Sequence, residues 1–126
     1  MSTSHSANVI ITNKSDGNAI VQLFHRNDDT GTQSGSWHLA PGQSSAPLEV
    51  NFKTGLGSLT VLDYWWVFIS IKDGSTPGKY TSGGSVLDPG WKECQLESKD
   101  VDQTLRFSVD SKDFHINLDS GGCSNS

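Results

Sequence analysis

The chain has 126 residues, which is one domain's worth, read as a single unit over 1–126. Only 33% of it is hydrophobic and 18% charged, with 13 Gly, yet the apolar residues fall in short alternating runs between polar turns; this excludes a disordered chain and predicts many short strands. The net charge is −5 with no Lys/Arg cluster, which excludes nucleic acid and polybasic attachment to anionic lipid while leaving neutral sugars and zwitterionic headgroups open.

The first residues, Met1 to Ala7, are polar and contain no apolar h-region. They read as cytoplasmic synthesis without a signal peptide, leaving non-classical release as a route outward. No stretch is long and apolar enough to be transmembrane. Residues 1–6 and 120–126 are expected to fray. Asn8 to Asn13 predicts a first strand with Val9 and Ile11 on one face, and Ala19 to Arg26 a second, joined by the turn residues Asn13 to Asn18 as a hairpin. Asn13-Lys14-Ser15 matches a glycosylation sequon, which is a chance match in a chain without a secretory signal.

Asn27 to Ser36 is ten polar residues, read as a surface loop. Trp37 and Leu39 follow as a short strand, and Leu48, Val50 and Phe52 alternate with polar neighbours as a half-buried one. The run Leu59 to Lys72 is the densest β-branched and aromatic stretch, and is expected to be the central strand. Fourteen residues is long for one strand, so a break is expected near Asp63-Tyr64. Val67, Ile69 and Ile71 share one face with Trp65; Trp66, Phe68 and Ser70 share the other. Asp73 to Gly78 is the strongest turn signal in the chain. Lys79 to Thr81 and Trp91 to Leu96 are further strand candidates, and Leu105 to Val109 with Phe114 to Leu118 predicts a hairpin around Asp110 to Asp113. Eight or nine short strands without an amphipathic helix predict an all-β, single-domain antiparallel β-sandwich, a closed barrel being the alternative.

The aromatics point to binding. Tyr64, Trp65 and Trp66 are consecutive, so they cannot all face the core of a pleated strand. Trp65 and Trp91 are assigned to the core; Tyr64, Trp66 and Trp37 are assigned to the surface. A surface indole or phenol can stack on the C–H face of a sugar ring. Asn27, Asp28 and Asp29, in the polar segment before Trp37, would hydrogen-bond the hydroxyls. The expected function is non-catalytic, lectin-like recognition of a glycan. Because single sites of that kind are weak, a homodimer or higher oligomer would add avidity.

A hydrolase is the remote alternative. There are four His residues and many Ser, but Gly31-Thr32-Gln33-Ser34-Gly35 has the wrong spacing for a nucleophile elbow. Glu occurs only at Glu49, Glu93 and Glu97, which marks no acid/base pair. No cofactor is expected. Calcium would need the Asp28-Asp29 or Asp110/Asp113 carboxylates, which turn formation explains without a metal. The two cysteines, Cys94 and Cys123, can pair in one way only, and both a disulfide and two free thiols stay open.

Ala7-Asn8-Val9-Ile10-Ile11-Thr12-Asn13 is similar to the first strand of the aegerolysins, small cytolysin-related β-sandwiches of fungi and bacteria. Asp63-Tyr64-Trp65-Trp66 resembles that family's Trp-rich strand, although Val67 and Phe68 follow here in place of the family's Cys-Pro-Trp type continuation. The resemblance implies a β-sandwich that sets its aromatics against a membrane-lipid headgroup.

Overall fold

The computed structural model describes residues 4–54, 61–85 and 87–119. Nine strands are found among them: β1 (Ser4–Asn13), β2 (Ala19–Asn27), β3 (Gly31–Leu39), β4 (Leu48–Lys53), β5 (Asp63–Ile71), β6 (Gly78–Thr81), β7 (Lys92–Glu93), β8 (Thr104–Val109) and β9 (Phe114–His115). One 3-10 turn, Ser98–Asp100, is the only helical element described. The strands form two sheets. One has the order β4-β1-β8-β9; the other has the order β3-β2-β5-β6, with β7 also paired to β5. The two sheets pack as a sandwich, as the alternation predicts.

The period of two in the sequence sets the inner faces. Ala7, Val9 and Ile11 of β1 are buried, as are Val50 and Phe52 of β4 and Leu105, Phe107 and Val109 of β8. Opposite them lie Val21 and Leu23 of β2 and Trp65, Val67, Ile69 and Ile71 of β5. The Trp65 and Phe107 rings meet between the sheets, edge to face, with centroids 4.8 Å apart. Indole Nε1 of Trp65 donates to the Cys94 carbonyl at 2.9 Å, so the largest core side chain buries no unpaired donor.

Four expectations need correction. β1 and β2 do not form a hairpin: they lie in different sheets. The connection is a corner pinned by Asn13, whose fully buried amide donates to the Gly17 and Leu39 carbonyls and accepts from Ser15. The polar stretch from Gly31 is not a loop but most of β3, paired with β2 in register from Ala19↔Leu39 to Asn27↔Gly31. Its backbone bonds are satisfied by β2, and its side chains are polar because β3 is a sheet edge with Thr32, Ser34, Ser36 and His38 exposed to water. Residues 4–6 are not frayed, since Ser4, His5 and Ser6 pair with Lys53, Phe52 and Asn51 of β4. Finally, one pairing departs from an antiparallel plan: β1 and β8 run parallel, from Asn8↔Thr104 to Asn13↔Val109.

The expected break in the long run falls where predicted, with β5 starting at Asp63; Leu59 and Thr60 lie outside the described residues. The β8–β9 hairpin also forms, with Ser108↔His115 and Val109↔Phe114 in register. Asp110 Oδ1 accepts the Lys112 and Asp113 N–H groups at 2.8 and 2.7 Å and so builds that turn. Cys94 is buried and disulfide-bonded. Its sequence-predicted partner Cys123 lies outside the described residues, as do residues 120–126. Among the described residues no helix is long and apolar enough to cross a membrane.

Candidate functional site

On β2 and β5 the residues that do not face the core are Ile20, Gln22, Phe24 and Arg26, and Tyr64, Trp66, Phe68 and Ser70. The register sets Arg26 beside Tyr64 and Phe24 beside Trp66. Both of the aromatics expected at the surface of β5 therefore do lie on the outer side of the five-stranded sheet. They meet different fates there.

Trp66 is only 1% exposed. The Phe24 ring packs against it at 5.3 Å, and its indole N–H donates to the carbonyl of Gly83, in the segment that follows β6. That segment is tied to β5 at Ser82, by Ser82 N–H to the Val67 carbonyl at 3.1 Å and by Val67 N–H to Ser82 Oγ at 3.0 Å. Trp66 is thus a covered structural residue, and its assignment to the ligand surface is overturned. A strand's outer face belongs to the surface only where nothing folds back over it.

Tyr64 stays half-buried beside Arg26. The Arg26 guanidinium carbon lies 4.4 Å from the Tyr64 ring centroid and 5.1 Å from that of Trp91. Two rings thus hold one cation. Trp91, expected in the core, is half-buried within this cluster. Trp91 and Trp66 have exchanged their expected roles. Among the described residues Arg26 makes no ion pair, and its Nε is buried without a hydrogen-bond partner. Glu93 of β7 stands opposite Tyr64 and is exposed.

The tip of the β2–β3 hairpin borders this cluster. Asp28 exchanges two bonds with Leu62: its N–H donates to the Leu62 carbonyl, and its Oδ2 accepts the Leu62 N–H, each at 3.1 Å. Asp28 and Asp29 are exposed. Asn27 is not available to a ligand, because it is 1% exposed and fully engaged. Its Oδ1 accepts the Asp29 and Thr30 N–H groups, and its Nδ2 donates to Asp63 Oδ1 at 2.9 Å. It shapes the turn that presents the two carboxylates. Gly31, at φ +84°, closes that turn in the left-handed region where a side chain would be strained.

Trp37, expected at the surface, is not there. It sits on the inner side of β3, opposite Val21, half-buried at the edge of the core. Gly35 leaves room for its ring, since a Cβ there would fall 2.4 Å from the indole. Val21 is five residues from Arg26 along β2, roughly 17 Å at strand rise, so Trp37 and Tyr64 do not form one platform. Of the six residues expected to bind, Tyr64 lies against Arg26, while Asp28 and Asp29 are exposed on the hairpin tip two and three residues beyond Arg26. Arg26 and Trp91 complete the cluster and were missed. The sequence carried one signal for Arg26, its position in phase with Phe24 on a strand otherwise apolar on the inner side.

A second polar constellation lies inside the sandwich. His25 and Asp63 are wholly buried, with His25 Nε2 2.7 Å from Asp63 Oδ1. His25 Nδ1 is 2.7 Å from Gln33 Oε1, and Asp63 Oδ2 accepts the Leu96 N–H at 2.8 Å. The Trp65 ring packs on the imidazole at 4.5 Å. A His–Asp pair is a general-base arrangement in an open cleft. Here its partners are Gln33 of β3, Asn27 of β2 and the Leu96 N–H, and the pair holds strands β2, β3 and β5 together. Among the described residues no group of three or more His, Cys, Asp or Glu side chains is placed to hold a metal ion. Compared with known proteins, the chain matches no family model and no curated protein.

Proposed function

We propose that the protein is a non-catalytic recognition module for carbohydrate, and that it binds on the outer face of the five-stranded sheet at Arg26, Tyr64, Trp91, Asp28 and Asp29. The observation that carries this reading is Arg26: a guanidinium held over two rings, without an ionic partner among the described residues. Rings of this kind can receive the C–H face of a pyranose, and Arg end-on supplies a fork of donors for ring and hydroxyl oxygens. The Asp28 and Asp29 carboxylates accept from hydroxyls. The turn that carries them is fixed in advance by Asn27, so little ordering is left to oppose binding.

A single shallow site of this type binds at about millimolar affinity, or roughly 4 kcal/mol. Useful retention on a glycan surface would come from more than one copy of the chain.

Glycan-array binding of the folded protein tests the reading, with R26A and Y64A as variants. The expected result is retention on a defined set of glycans, weakened about tenfold or more by either substitution while thermal unfolding stays cooperative. Absence of binding to any glycan, or binding indifferent to both substitutions, would overturn it. Binding to liposomes that follows the headgroup and ignores competing sugar would replace it with a membrane-lipid reading.

A further inference from the structure

Away from the outer aromatic face, the sandwich opens along one side, where β6 and β7 of one sheet face the β8–β9 hairpin of the other. The opening is a cleft of about 200 Å³ with Thr81 and Ser82 on one wall and Lys112, Asp113 and His115 on the other, and Lys92 at its rim. Phe114 forms part of its floor, and a smaller recess of about 30 Å³ continues inward against Val67, Ile69 and Val109.

Charge in this cleft runs against the rest of the molecule. The chain carries −5 overall, yet among the described residues Lys92, Lys112 and His115 line the cleft with one carboxylate, Asp113. A second, Asp110, lies along the inner recess with its Oδ1 taken up by the Lys112 and Asp113 N–H groups. The three basic residues arrive from both sheets. Lys92 comes from β7, opposite Trp65, while Lys112 and His115 are set by the turn that Asp110 builds. Among the described residues the Lys112 ammonium and the His115 ring have no hydrogen bond or ion pair. Ser82 Oγ already accepts the Val67 N–H, which leaves its hydroxyl hydrogen to donate. The cleft is therefore lined by residues that carry an ammonium, an imidazole and a hydroxyl donor, with Phe114 beside them and the apolar recess beyond. Converging donors of this kind suit the several acceptor oxygens of a tetrahedral oxyanion.

We propose that this cleft is a binding site for a phosphate or sulfate ester, with Lys112, His115 and Ser82 holding the anionic head and the Phe114 side of the cleft receiving the group that it esterifies. The site is separate from the aromatic cluster and does not depend on the carbohydrate reading of that face.

Amide chemical-shift titration of the whole chain, with inorganic phosphate, inorganic sulfate, glucose 6-phosphate and glucose 6-sulfate as probes, tests it. The two sugar esters tell a phosphate ligand from a sulfate one. Saturation by either, with shifts centred on residues 81–82 and 112–115, is the expected result. K112Q and H115Q should each weaken it about tenfold. Both side chains are exposed, so the fold should survive, and the wild-type shift map reads the site even if a variant fails. K14Q, at an exposed lysine outside the cleft, should leave binding unchanged. Failure of all four probes to saturate, shifts centred elsewhere, or equal weakening by K14Q would overturn the proposal. Loss of glycan-array binding with these titrations intact would overturn only the carbohydrate reading.

Discussion

Asp63 answers three donors at once: Asn27 Nδ2, the Leu96 N–H and His25 Nε2. The other side of His25 is decided by Asn51, whose backbone N–H donates to Gln33 Oε1 at 3.1 Å and so fixes that atom as the amide oxygen. Nδ1 of His25 lies 2.7 Å from it, and Nε2 lies 2.7 Å from Asp63 Oδ1 on the other side of the ring. A carboxylate with this many obligations is costly to remove from a dry interior. Asp63→Ala should lower stability by about 3–5 kcal/mol in chemical denaturation, the scale expected when one partner of a buried pair is deleted. A loss below 1 kcal/mol would mean that the network is not holding the strands. In the sequence Asp63 reads only as a poor strand-interior residue. Its partners lie far along the chain, at positions 25, 27 and 96, so local pattern could not reveal what it does.

The tryptophans make the same point from the other side. Trp66→Ala should cost about 3–5 kcal/mol, since the ring is buried and its N–H is spent on Gly83. Trp91→Ala removes a half-buried ring and one cation–π contact, worth about 0.5–1 kcal/mol at such a site. Denaturation midpoints of the two variants should therefore separate clearly. Equal losses would return Trp91 to the core, where the sequence had placed it. Alternation alone put Trp66 outward, correctly. What it could not show is the Gly-rich segment that folds back to cover the ring.

At the scale of elements, two turns lock together across one end of the molecule. Asp16 Oδ1 accepts the Ser75 N–H at 2.9 Å, and Asp73 Oδ1 accepts the Asn18 N–H at 2.7 Å. Gly17 and Gly74 permit the approach. A Cβ on Gly17 would fall 2.0 Å from the Asp73 carbonyl oxygen, and one on Gly74 would meet Asp16 at 2.5 Å from a φ of +81°. The Asp16 carboxyl is held below the ordinary carboxylate value by hydrogen bonds from Ser75, and the Asp73 carboxyl is held below it by the Asn18 backbone N–H and then its side chain. A carboxyl lowered in the folded state stabilises it fully above the unfolded value of about 3.9, and the gain is lost as pH falls through the lowered value. Wild-type denaturation midpoints should fall below about pH 4, and Asp73→Asn should lower the midpoint at neutral pH and make that fall shallower, the two proteins converging in acid. Matching acid limbs in the two proteins would contradict the interlock. Both turns were legible in the sequence as Asp/Gly clusters; that they clasp each other was not. β4, β5 and β8 were equally legible, because each alternates sharply between core and water. β3 was not, because an edge strand with a polar outer face looks like a loop until its partner is known.

The four-stranded sheet is organised around β1, which pairs with β4 on one side and β8 on the other. Its parallel partner lies ninety-six positions away in every pair of the register. Between them the chain builds the whole five-stranded sheet and β4, so β1 cannot complete its pairing until most of the molecule has been made. No hairpin signal in the sequence could announce such a pair, since parallel strands need a crossover rather than a turn. Loop closure over that span must precede any reward from the contact. Refolding from denaturant should therefore take milliseconds to seconds, in the range of all-β sandwiches rather than helical domains. Stopped-flow tryptophan fluorescence can follow it, because Trp65 and Trp66 pass from water to a buried setting. Shortening β1 by removing residues 1–6, and with them the Ser4, His5 and Ser6 pairs to β4, should lower the denaturation midpoint. Complete refolding faster than about a tenth of a millisecond would be incompatible with this order of assembly.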